Sequence, residues 1–94
     1  MIPPPYHSIH VPDPQPDAEQ LQWLAPQRRC TQVRVQRHTC ECQPRIYELC
    51  QAGGLVFVRR TDRNQAGVEV AETEWLVTAR AQELWQKIIT GRSM

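Results

Sequence analysis

The run Arg45-Ile46-Tyr47-Glu48-Leu49-Cys50-Gln51-Ala52-Gly53-Gly54-Leu55-Val56-Phe57-Val58-Arg59-Arg60-Thr61 decides the fold. Two β-prone segments flank a Gly-Gly pair. Tight two-residue hairpin turns need positive φ, which glycine adopts without steric cost. With Gly53-Gly54 as the turn, Cys50 falls opposite Phe57 and Glu48 opposite Arg59. Leu49 then faces Val58 and Tyr47 faces Arg60. The Glu48–Arg59 pair sets opposite charges side by side, which supports this register. Both faces carry apolar residues, so the hairpin is expected to be central and largely covered.

Strand signals extend on either side. Thr31-Gln32-Val33-Arg34-Val35-Gln36-Arg37 alternates with period two, and Pro44 breaks the chain before the hairpin. Asp62 to Gly67 is rich in turn formers, and Val68-Glu69-Val70-Ala71-Glu72 reads as a fourth strand. From 73 to 90 the period changes. Val77, Ala81, Leu84, Trp85 and Ile88 recur at helical spacing, Thr73 offers a cap, Glu83 and Lys87 form an i,i+4 pair, and Gly91 stops the helix. Trp75 and Ile89 fall partly off this stripe and are candidates for a homodimer contact.

Toward the N-terminus, Asp17 with Gln20 three residues on resembles a capping box, and Leu21, Leu24 and Ala25 make a short apolar stripe ended by Pro26. A short helix is expected over 17–25, with Trp23 off the stripe; exposed, it would be a candidate anchor for a protein partner, but partial burial under the arm is favoured. Six of the eight prolines lie in residues 1–16, which favours an extended, disordered arm. The expectation is therefore an α+β fold. An antiparallel β-meander of about four strands carries a C-terminal helix on one face, in a single domain over 28–92.

The chain of 94 residues has room for one small domain and a tail. Mean hydropathy is -0.56. The longest apolar run, Leu55 to Val58, is far too short to span a membrane. No basic segment followed by an apolar one opens the chain, so a cytoplasmic protein is expected, with its cysteines reduced or metal-bound. The net charge of +1 conceals an asymmetry. Residues 1–27 carry -3, residues 28–63 carry +5 and residues 64–94 carry -1. In the basic middle, Arg34, Arg37, Arg45, Arg59, Arg60 and Arg63 are candidates for contact with an anionic partner, nucleic acid included. Aromatic interleaving is poor there, with Tyr47 and Phe57 alone nearby.

The cysteines run Cys30-x9-Cys40-x-Cys42-x7-Cys50, with His38 two residues before Cys40. Zinc is the candidate cofactor, because a metal can staple a core too small to hold itself. The usual pair of C-x2-4-C knuckles is missing. A hairpin of 31–39 with 45–51 closing near Glu41–Gln43 would also set Cys30 and Cys50 far from Cys40 and Cys42, at about 3.3 Å per residue. A smaller site of His38, Cys40 and Cys42 plus one distant ligand needs less rearrangement. In one continuous strand those three side chains would share a face. Otherwise Cys30 and Cys50 are buried small apolar residues, and Cys40 and Cys42 are exposed thiols open to redox sensing. His7 and His10 form H-x2-H in the arm, too few ligands to specify a metal.

No catalytic constellation stands out. Ser8 and Ser93, the only serines, lie near the ends, and no phosphate-binding loop, H-E-x-x-H or paired carboxylate occurs. The segments Tyr47 to Gly54, Phe57 to Thr61 and Ala81 to Gly91 resemble small actinobacterial proteins without an assigned activity. The resemblance covers about residues 30–92 and implies a bacterial cytoplasmic module, with no site residues to transfer. The expectation for function is a non-enzymatic binding or regulatory module. A zinc-stabilised nucleic-acid or transcription-associated protein and a thiol redox sensor are the alternatives.

Overall fold

The computed structural model describes residues 9–26 and 33–94. Its centre is the hairpin of β2 (Arg45–Ala52) and β3 (Leu55–Asn64). Gly53 and Gly54 form the turn at φ +56° and +83°, which only glycine adopts freely. Cys50 pairs with Phe57, Leu49 with Val58, Glu48 with Arg59 and Tyr47 with Arg60, in the register the turn predicts. β4 (Gly67–Glu72) joins β3 through a two-residue turn, shorter than the expected loop, so β3 reaches Asn64. The Asn64 side chain accepts the Ala66 N–H at 2.8 Å and closes this turn. β1 (Arg34–His38) pairs with β2 on the far side. The sheet is an antiparallel meander in the order β1-β2-β3-β4. A register shift between Val35 and Arg37 breaks the simple alternation expected of β1.

One face of this sheet is covered by α1 (Thr78–Ile89). Tyr47, Leu49, Val56 and Val58 from the sheet meet Ala81, Trp85 and Ile88 from the helix. Val11, Leu21, Trp23, Leu76, Leu84 and Ile89 pack around that core. The helix starts at Thr78, later than the stripe predicts. Residues 73–76 stay paired to β3 instead. Thr73 N–H donates to Val58 O at 2.9 Å, its hydroxyl accepts the Val58 N–H at 3.0 Å, and Leu76 and Val56 exchange two backbone bonds. Thr73 thus serves the sheet and caps nothing. Val77, at the helix start, is exposed.

The expected helix over 17–25 does not form. Residues 16 and 17 make a turn and the chain then runs extended. Glu19 N–H donates to Arg92 O, Leu21 N–H to Met94 O, and Leu24 and Glu72 exchange two bonds. A nine-residue helix is marginal alone, and these distant backbone partners satisfy the same groups while docking Leu21 and Trp23 on the core. Of the arm expected over 1–16, residues 1–8 lie outside the described residues. Residues 10–16 hold no helix or strand, yet they are fastened. Cys40 N–H donates to Ile9 O at 2.9 Å, and Gln15 N–H to Gly91 O at 2.9 Å. Among the described residues no helix is long and apolar enough to cross a membrane.

Candidate functional site

At the end of β1 the chain leaves the sheet. Thr39 turns inward, fully buried, and its hydroxyl accepts the Tyr47 N–H at 2.9 Å. Cys40 to Gln43 then form a tight turn, with Gln43 N–H donating to Cys40 O. Ile9 bridges Thr39 in parallel, which carries His10 to this turn. His10, Cys40 and Cys42 therefore converge, with their ligand atoms all within 4.8 Å of one another. The Cys40 thiol donates to Cys42 Sγ at 3.1 Å, and Cys42 Sγ stands 3.4 Å from His10 Nε2. Gln43 lies beside both, its amide 3.4 Å from His10 Nδ1 and from Cys42 Sγ. Cys40 is buried, whereas Cys42 and His10 are exposed. The Cys42 thiol pKa is raised, first by its hydrogen bond with Cys40 and then by desolvation.

Of the ligand set expected from sequence, Cys40 and Cys42 fall in the convergent group, and His38 and Cys50 do not. His38 stays in the sheet opposite Glu48, its Nδ1 donating to Thr39 O at 2.8 Å, outside the convergent group. The chain bends at Thr39, so residues 38, 40 and 42 share no strand face. Cys50 is fully buried with Ala52, Phe57 and Trp75 on the other side of the sheet. Burial pushes its thiol up to about 11. Cys30 lies outside the described residues. His10 joins the two cysteines instead of His38. Its sequence signal was the H-x2-H in the arm. The Ile9–Thr39 bridge that delivers it leaves no mark in the sequence.

The arginines expected to meet an anion are mostly engaged within the chain. Arg45 bonds Asp62 at 2.5 Å, and Arg59 grips Glu48 through two bonds of 3.1 and 3.2 Å. Each carboxylate raises its arginine's pKa. Arg60 pairs with Asp62 at 3.2 Å and lies 4.6 Å over the Trp23 ring. Arg63 donates to the carbonyls of Glu41 and Gln43, tying β3 to the thiol turn. Arg34 and Arg37 are the exposed remainder, on the edge strand β1. Trp23 is partly buried, the reading the sequence favoured over an exposed anchor. It lies 5.9 Å from the Tyr47 ring and closes the core beneath Arg60.

The sheet face opposite α1 has a different character. Cross-strand rows place Val35 with Cys50 and Phe57, His38 with Glu48, Arg59 and Glu72, and Thr61 with Val70. Val68, opposite Arg63, shares this side with Val70. Val35, Val68 and Val70 are 42%, 63% and 39% exposed. Trp75 stacks on Phe57 at 4.8 Å, its indole donating to Glu72, and covers the middle. Among the described residues no helix or strand lies across the rest. Comparisons with family models, with curated proteins and with solved structures find no match to this chain.

Proposed function

We propose that this chain is a small non-enzymatic binding module that engages a protein partner through the sheet face opposite α1. The observation that carries this reading is the set Val35, Val68 and Val70, left exposed on both edge strands of one face. Apolar side chains facing water on both edges of a sheet whose other face is covered are the character of an interaction surface. Between the edges lies the row His38–Glu48–Arg59–Glu72, in which Glu48 is held by Arg59 and buried Glu72 accepts from Trp75. The fitting partner is a protein surface of apolar side chains. A polyanion fits less well, since Arg45, Arg59, Arg60 and Arg63 already hold partners. Weak residual binding through Arg34 and Arg37 would be salt-sensitive and shared by any nucleic acid.

The test is a pair of opposed surface variants in affinity capture followed by binding titration of the proteins retained. Val35→Asp with Val70→Asp should lower affinity by at least about tenfold, the loss of roughly 1.4 kcal/mol expected when an apolar contact becomes a buried charge. Val77→Asp, exposed at the helix start, should leave it unchanged. Equal binding by wild type and the sheet-face variant, or loss with Val77→Asp alone, would refute the assignment.

A further inference from the structure

We infer that His10, Cys40 and Cys42 form a binding site for one thiophilic divalent cation, with zinc as the fitting ion. This inference is independent of the docking face and rests on the convergence of three ligand atoms within 4.8 Å. Around a tetrahedral zinc, bonds of about 2.3 Å to sulfur and about 2.0 Å to nitrogen set two sulfurs about 3.8 Å apart, and sulfur and nitrogen about 3.5 Å apart. The two cysteine sulfurs stand at 3.1 Å, and Cys42 Sγ at 3.4 Å from His10 Nε2. Two of the three ligand spacings thus lie near the coordination distances, and the third, from Cys40 to His10, is within 4.8 Å.

The donor set selects the ion. Two thiolates and an imidazole suit zinc and other soft ions, and the group contains no carboxylate that would hold magnesium or calcium. Binding replaces two thiol protons, released to solvent, by one dication, and no electrons move. Two thiolates neutralise the ion, so the partly buried site carries no net charge. Water completes the tetrahedron, since three protein ligands leave one position open. The ligands come from two parts of the chain, the arm at residue 10 and the turn at residues 40–42. A bound ion thus cross-links the arm to the end of β1, where one backbone bond from Cys40 N–H to Ile9 O already joins them.

The test is native mass spectrometry of the reduced, metal-free full chain titrated with a zinc salt, in excess magnesium. Cobalt(II) absorption is recorded in parallel. The expected result is one zinc per chain, a sulfur-to-cobalt charge-transfer band, and protection of Cys42 from alkylation. His10→Ala should weaken zinc by at least about tenfold, the loss that even an outer partner of a ligand causes. Cys42→Ser, at an exposed turn position, should abolish the cobalt band while far-UV circular dichroism stays unchanged. His38→Ala should bind zinc as wild type does. Absence of uptake, wild-type affinity in His10→Ala, or loss confined to His38→Ala would each overturn the site.

Discussion

Trp85 sits fully buried between α1 and the sheet, and its indole N–H has no hydrogen-bond partner among the described residues. Two opposing terms meet in one side chain. Its ring fills the largest single volume of the core, while its N–H bears a desolvation cost of about 1–3 kcal/mol. Trp85→Ala should therefore cost about 3–5 kcal/mol, and Trp85→Phe much less, because it keeps most of the ring and removes the orphan donor. Urea unfolding of the two variants checks this, and equal losses would show that the retained ring volume contributes nothing. The position of Trp85 was legible from the sequence, since it recurs with Ala81 and Ile88 at helical spacing. The partial burial of Trp23 was also legible, but not its partners, since the segment expected as a helix runs extended and turns it onto Tyr47 and under Arg60. His10 was illegible as a ligand. What places it is one long-range bridge, and periodicity reports neighbours along the chain only.

At the scale of elements, the end of α1 is held by a two-bond motif. Arg92 N–H donates to Lys87 O at 2.8 Å and Gly91 N–H to Ile88 O at 3.1 Å, with Gly91 at φ +76°. A Cβ at Gly91 would stand 3.0 Å from the Asp13 carbonyl, so the residue also makes room for the arm. Gly91→Ala should destabilise the chain by about 1–2 kcal/mol from left-handed strain, and more from that contact. A thermal melt measures it; a loss no larger than the strain alone would mean that the arm moves aside at no cost, and an unchanged midpoint would refute both. Gly91 as the helix stop was readable from its place after the stripe, and Gly53-Gly54 as the hairpin turn from the flanking strands. The helix start was not readable. Thr73 looks like a cap, but its hydroxyl serves Val58, and a threonine that completes a sheet ladder looks the same in sequence as one that caps a helix.

For the whole molecule, pH enters through Cys50. Its ordinary value of 9.0 is raised to about 11, chiefly by burial. Between these values the unfolded chain has released a proton that the folded chain retains. Stability therefore falls as pH rises from about 9 to about 11, and this contribution is fully present below that window. Urea midpoints at about pH 8 and about pH 10.5 should show a smaller decline in Cys50→Ala than in wild type. Equal declines would assign the effect to other groups. The same burial keeps Cys50 from reacting with thiol reagents that reach exposed Cys42.

The seam between residues 15–21 and 91–94 has a mechanical consequence. Gln15, Glu19 and Leu21 donate to Gly91, Arg92 and Met94, and Met94 donates back to Glu19. The Glu19–Ser93 bridge is parallel. Tension applied between the N-terminal side of one segment and the C-terminal side of the other pulls them lengthwise past each other. Those bonds then share the load together instead of parting one at a time. The polypeptide is clasped into a ring by its least local contacts, so its resistance to stretching resides in the seam, ahead of the hairpins it encloses.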